Sequence, residues 1–147
     1  MTKNSKTLSS GLEDYIETIY IAQLKNLPLK GADLARQLCV SRASVSEALA
    51  KLVAKKLITY NSYETISLTQ LGIEFAQNVY NKHHTLKMFF EQVLFIAPDE
   101  AGENACKIEH IISENILDRL VAFTEFTKLH PEKYNEFAQY YKERRNQ

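Results

Sequence analysis

Residues 29–68 constrain the fold of this chain more tightly than any other stretch. In Leu29-Lys-Gly-Ala-Asp-Leu-Ala-Arg-Gln-Leu, the apolar residues Leu34, Ala35 and Leu38 recur at the spacing of a short amphipathic helix. Cys39-Val40 makes a tight connection, and Ser41 carries the short hydroxyl that suits an N-cap. Beyond it Val45, Ala48, Leu49 and Leu52 line the inward face of a second helix. Two helices joined this way form a helix-turn-helix. Many such turns carry Gly where this chain has Cys39, a departure that bears on the geometry of the turn. After Lys55-Lys56, Leu57-Ile-Thr-Tyr and Thr65-Ile-Ser-Leu read as two short strands with Asn61-Ser-Tyr-Glu as their hairpin tip. A helix-turn-helix followed directly by a hairpin is a winged helix-turn-helix.

The outward face of the second helix is Ser41, Arg42, Ser44, Ser46, Glu47 and Lys51. Short hydroxyls, an Arg and a Lys near a helix N-terminus suit phosphate and major-groove contact, so double-stranded DNA is the expected partner. The alternative is a helical hairpin used only for packing. The wing tip carries Tyr63 and Glu64 and no Arg or Lys, so it should add less electrostatic affinity than a basic wing. A formal net charge of zero argues against nucleic acid when taken alone, but the charge is unevenly spread. Residues 1–70 hold nine Lys/Arg against six Asp/Glu, and residues 71–147 hold nine against twelve, which points the basic half at a polyanion.

With 147 residues, 45% apolar and 24% charged, the chain has the make-up of a soluble globular protein of one or two domains. No window approaches the roughly 18 apolar residues of a membrane span. The polar start, Met1-Thr-Lys-Asn-Ser-Lys-Thr-Leu-Ser-Ser, has no apolar run of signal-peptide length, so the cytoplasm is the expected compartment. Cys39 and Cys106 stand far apart in different settings, which fits reduced thiols better than a disulfide framework.

Leu12, Tyr15, Ile16, Ile19, Tyr20 and Leu24 form a helical stripe that Asn26-Leu27-Pro28 ends. Asp14 and Glu17 stand three apart there with Glu13 beside them, a spacing at which like charges cost a helix a few tenths of a kcal/mol. A first helical turn would offset that repulsion through its dipole. Thr69 caps a long helix from Gln70 to about Phe95, striped by Ile73, Phe75, Val79, Leu86, Phe89, Phe90, Val93 and Leu94. Either an ordinary core or a second subunit accounts for the aromatic density near Phe89 and Phe90. One of His83 and His84 can turn toward the interior. Pro98 opens a further helix, expected to run through Ile112, with Cys106, Glu109 and His110 at i, i+3 and i+4 on one face. A thiol, a carboxylate and an imidazole so placed are half a metal site, or else a half-buried cysteine beside a solvated Glu-His pair. Ser113 restarts a helix whose inward positions are Ile116, Leu117, Leu120 and Phe123, with Val121 at the edge. From Pro131 to about Arg145 a polar helix bears Tyr134, Phe137, Tyr140 and Tyr141.

Taken together, Leu12-Glu-Asp-Tyr-Ile-Glu-Thr-Ile-Tyr, Val40-Ser-Arg-Ala-Ser-Val-Ser, Leu68-Thr-Gln-Leu-Gly and Ala105-Cys-Lys-Ile-Glu-His-Ile-Ile-Ser resemble the metal-dependent repressors of the diphtheria toxin repressor and manganese transport regulator family. The resemblance runs from about residue 11 to 125. It implies a mainly α fold: a winged helix-turn-helix DNA-binding domain at 1–69 and an all-helical dimerisation and metal-binding domain at 70–147. The shorter, manganese-regulator architecture is the one implied, without the SH3-like third domain of some members. It also implies a homodimer that represses transcription on operator DNA when loaded with a metal, with no membrane and no organic substrate. Residue by residue, the family's metal positions correspond to Asp14, Glu17, His83, Cys106, Glu109 and His110. Asp14 and Glu17 resemble the manganese-responsive branch and Cys106 the iron-responsive branch, so the site is a hybrid. Two positions of the iron branch's ancillary site correspond to Lys87 and Gly102, which cannot serve as ligands.

Gathering Asp14, Glu17, Glu109 and a Cys106 thiolate concentrates about four negative charges, which only a cation offsets. Asp14 and Glu17 belong to the DNA-binding half and the other four to the second half, so a divalent ion would pin one to the other and set the spacing of two recognition helices in a dimer. Carboxylates favour Mn²⁺ and a thiolate favours Fe²⁺ or Zn²⁺; Mn²⁺ or Fe²⁺ is expected, with Zn²⁺ or Co²⁺ as substitutes. Two rival classes remain. One is a winged-helix regulator that metal does not activate. The other is a zinc hydrolase, since Cys106-x-x-Glu109-His110 superficially resembles H-x-x-E-H, although Cys stands for the first His and no substrate-binding segment is evident.

Overall fold

The computed structural model describes residues 8–61 and 64–145. The elements run α1 (Ser10–Leu24), α2 (Gly31–Gln37), α3 (Arg42–Ala54), β1 (Ile58–Thr59), β2 (Ser67–Leu68), α4 (Gln70–Gln92), α5 (Pro98–Ile108), α6 (Glu114–Leu129) and α7 (Pro131–Arg145). They divide into two compact units, Met1–Tyr80 and Asn81–Gln147.

The first unit is a winged helix. Ile16 and Ile19 of α1, Leu34 of α2, Leu49 and Leu52 of α3, and Leu57 are the largest fully buried side chains among its described residues. Removing each from water contributes about 1.5–3 kcal/mol. The N-terminus of α3 is closed by Ser41, whose Oγ accepts the Ser44 N–H at 3.0 Å. At the start of α2 the Asp33 carboxylate accepts the Lys30 backbone N–H at 3.0 Å and pairs with Arg36. That backbone N–H, and then the guanidinium, hold the Asp33 carboxyl below the usual carboxylate range. The wing is shorter than its apolar runs suggest. Ile58 pairs with Leu68 and Thr59 with Ser67, antiparallel, and Ile66 N–H is tied to the Leu29 carbonyl at 2.9 Å. Tyr63 of the tip, with Ser62, lies outside the described residues.

The turn between α2 and α3 takes the shape that Gly would favour. Cys39 adopts φ 54°, the left-handed region, where a Cβ costs roughly 1–2 kcal/mol. Glycine removes that strain but frees the unfolded chain, so the two effects partly cancel. We expect Cys39→Gly to stabilise the unit by up to about 1 kcal/mol. A thermal melt of the variant against the parent checks it, and a lower melting temperature would refute it.

The second unit is helical throughout its described regular elements, with Leu86, Val93, Ala101 and Ala105 buried. The long helix ends at Gln92, short of Phe95, because Phe95 turns left-handed (φ 58°) while Ile96 N–H bonds the Phe90 carbonyl at 3.0 Å. Phe95 then packs its ring at a tilt against Tyr134 of α7, with ring centroids 4.9 Å apart, and the Tyr134 hydroxyl donates to the Gln92 carbonyl. Burial pushes the Tyr134 phenol above its ordinary pKa.

Two expectations change here. The helix carrying Cys106 stops at Ile108 and not Ile112, because the Ile111 N–H bonds Ile108 in a tightened last turn and Ser113 caps the next helix. The stripe of α6 is also not inward in the single chain. Ile116 is 53% and Phe123 50% exposed, Val121 lies at the surface, and only Leu117 and Leu120 are half-buried. A 3.6-residue apolar period marks a face that needs covering without saying what covers it.

Candidate metal centre and nucleic-acid interface

α1 begins at Ser10, so among its acids only Glu13 lies in the first turn. Asp14 and Glu17 lie deeper in the helix, where the dipole no longer offsets their repulsion. Asp14 is half-buried, and Glu17 is buried at 9% exposure between the core residues Ile16 and Ile19. A carboxylate in that position demands compensation.

In the second unit Glu109 is 2% exposed. It follows Ile108 as the C-cap of α5 and keeps a helical backbone (φ −54°, ψ −31°), so its side chain stays on the face that carries Cys106. One oxygen, Oε2, lies 2.6 Å from His83 Nδ1, bridging α4 and the end of α5. The other, Oε1, is 3.6 Å from His110 Nε2 and has no hydrogen-bond partner, although it is buried. Cys106, Glu109 and His110 each offer a ligand atom within 4.8 Å of the others. The shortened helix therefore still assembles the thiol, carboxylate and imidazole expected from their spacing. His83 meets Glu109, whereas His84 is exposed. Lys87 instead pairs with Glu91, at 3.7 Å.

This donor set fits a divalent cation. A buried carboxylate with one oxygen lacking a hydrogen-bond partner, two imidazoles and a thiol offer the mixed N, O and S ligation of a transition metal, and burial makes an uncompensated carboxylate costly by several kcal/mol. His83 has the geometry either of a ligand or of a residue that orients the carboxylate through its Nδ1.

α3 presents Ser41, Arg42, Ser44, Ser46, Glu47 and Lys51, all exposed. The Ser41 and Ser44 hydroxyls are 2.9 Å apart. Lys51 Nζ lies 2.6 Å from Glu47 Oε1 and holds the Glu47 carboxyl below its usual range. Lys30 and Tyr60, which the sequence did not single out, join Arg42 and Ser46 around a cavity of about 510 Å³. The exposed basic Lys30 beside the first helix was the one available signal. No helix among the described residues is long and apolar enough to cross a membrane.

Comparison with known proteins finds two family models matched along the chain. Residues 7–66 match the iron dependent repressor N-terminal DNA binding domain, and residues 69–137 match the iron dependent repressor metal binding and dimerisation domain. An uncharacterised HTH-type transcriptional regulator of Methanocaldococcus jannaschii is 38% identical over 119 residues, which is 80% of this chain and 95% of that protein. The HTH-type transcriptional regulator MntR of Listeria monocytogenes is 28% identical over 121 residues, 82% of this chain and 84% of its own length. A solved manganese-dependent transcriptional repressor in complex with manganese superposes with a TM-score of 0.72 at 27% identity, over 78% of this chain and 53% of that one. The chain spans about half the length of several solved structures it matches. By these matches the chain belongs to the iron-dependent repressor family, whose members are metal-dependent transcriptional regulators and not enzymes.

Proposed function

We propose that this chain is a metal-activated repressor that binds operator DNA as a homodimer when loaded with Mn²⁺ or Fe²⁺ and so controls metal homeostasis. The observation that carries the reading is Glu109, a buried carboxylate held by His83 on one oxygen and without a hydrogen bond on the other. In this proposal Cys106, Glu109, His110 and His83 supply the donors of the second unit, and Asp14 and Glu17 supply carboxylates of the first. Bound, a divalent cation supplies the positive charge that offsets the gathered carboxylates and thiolate. In this proposal one ion holds the acids of α1 together with His83 of α4, Cys106 of α5, and Glu109 and His110 just after it. Without that charge they repel, and the recognition helices sample many separations. The match of residues 69–137 to a metal binding and dimerisation domain and the uncovered side chains of Ile116, Phe123 and Phe126 support a second copy as partner. The solved relative in complex with manganese supports Mn²⁺, while the Cys106 thiol keeps Fe²⁺ in contention. Chromosomal DNA as the partner makes the cytoplasm the place of action.

The test is anaerobic retention of a pool of duplex genomic fragments at one fixed salt, first with chelator and then with Mn²⁺, Fe²⁺ or Zn²⁺. Fixing the salt matters because phosphate contacts make affinity strongly salt-dependent. Selective retention only with metal is the expected result, and the lowest effective concentration ranks the metals. Equal retention in chelator would leave the winged helix as a DNA-binding module and remove metal from the mechanism.

A further inference from the structure

The recognition helix carries a single acid. Between Arg42 and Ala54 the charged side chains are Arg42, Glu47 and Lys51, and Glu47 stands among the exposed hydroxyls of the face proposed to meet DNA. An acid there is repelled by phosphates, so it has to be both neutralised and used, or it lowers affinity without return. Lys51 neutralises it one turn away, Nζ to Oε1 at 2.6 Å, with both side chains still largely exposed at 56% and 69%. That bond engages one carboxylate oxygen, and an ionised carboxylate has acceptor capacity to spare and no donor.

The major groove narrows what such a group can read. Guanine offers N7 and O6 and thymine offers O4, all acceptors that a carboxylate repels. Donors come only from cytosine N4 and adenine N6, and the adenine amino group sits beside the N7 acceptor, which repels the second carboxylate oxygen. Cytosine presents its amino group without that neighbour.

We propose that Glu47 reads a cytosine in each operator half-site by accepting a hydrogen bond from the N4 amino group, with Lys51 as the residue that positions and neutralises it. This rests on the DNA-binding reading above and adds a base identity to it. Glu47 is thereby a specificity-determining residue. Lys51 contributes to affinity for every sequence without choosing among bases.

Selection of binding sites from a random duplex library, in Mn²⁺ and at one salt, tests it with the parent chain, Glu47→Gln, Glu47→Ala and Lys51→Ala. The parent should recover half-sites with one strongly preferred C. Glu47→Gln, whose amide both donates and accepts, should move that position toward A, the base Gln pairs with through N6 and N7. Glu47→Ala should erase the preference, a loss on the order of 5- to 150-fold in discrimination against the wrong base. Lys51→Ala should weaken binding to all sites while keeping the C. If both Glu47 variants recover the parent's motif unchanged, the carboxylate is a solvated helix pair and the inference is wrong while DNA binding stands. If the parent selects no sequence at all, the DNA-binding reading fails and takes this inference with it.

Discussion

Glu109→Gln should abolish metal activation while leaving the metal-free protein folded. The substitution keeps the shape of the side chain and an amide oxygen that still faces His83 Nδ1, 2.6 Å away in the parent. It removes the charge from a group that is 2% exposed. A buried carboxylate is costly unless compensated, so the metal-free variant should be as stable as the parent or more so. The cost appears only with metal. Replacing residues that merely orient a ligand commonly lowers metal affinity 10–100-fold, and a directly ligating carboxylate should lie at or beyond the upper end, about 100-fold or more. A metal at 100 times its dissociation constant stabilises a protein by about 2.7 kcal/mol, so the parent's melting temperature should rise on Mn²⁺ addition by on the order of 10 °C. The variant's should barely move, and DNA retention at the parent's activating concentration should vanish. An unchanged metal titration in the variant would exclude Glu109 as a ligand.

This residue also shows where sequence reasoning reaches and where it stops. Cys106, Glu109 and His110 could be grouped because three neighbours on one turn are a local matter. The grouping survives a helix that ends earlier than expected, since Glu109 keeps helical dihedrals as its cap. The choice between His83 and His84 was not local. It depends on which imidazole meets a carboxylate 26 residues away. The Ser41 cap was legible for the same reason as the pentad, because its partner Ser44 is three residues along. The apolar stripe of α6 was legible as a stripe and misread as inward, since periodicity reports that Ile116 and Phe123 share a face and says nothing of whether the covering surface belongs to the same chain. The short wing was overestimated because Leu57 and Ile66 are buried without belonging to the paired strands. Apolar runs measure burial more directly than they measure pairing.

Gly72→Ala should destabilise the first unit severely, by about 3 kcal/mol or more. A Cβ placed on Gly72 would lie 1.9 Å from the Leu57 carbonyl oxygen, 2.9 Å from its carbon and 3.2 Å from Leu68 Cδ2. The oxygen cannot simply step aside. It accepts the Thr69 N–H at 3.0 Å and lies 3.1 Å from Thr69 Oγ1, which also donates to the Lys56 carbonyl at 2.7 Å and accepts the Gly72 N–H at 3.0 Å. Thr69 thus caps α4 and ties its first turn to the backbone that leaves α3 and enters β1. Any shift that admits a methyl group breaks bonds to buried backbone groups as well as the packing of Leu57, which is 1% exposed. The melting temperature should fall by on the order of 15 °C or more. Gly11, with nothing within 4 Å of an added Cβ, is the control: Gly11→Ala in the exposed start of α1 should be neutral or stabilising by up to about 1 kcal/mol. A Gly72→Ala protein that melts with the parent would mean that α4 can slide off the hairpin at little cost. The anchoring of that helix start against β1, and the reason offered for glycine in Leu68-Thr-Gln-Leu-Gly, would then both be wrong.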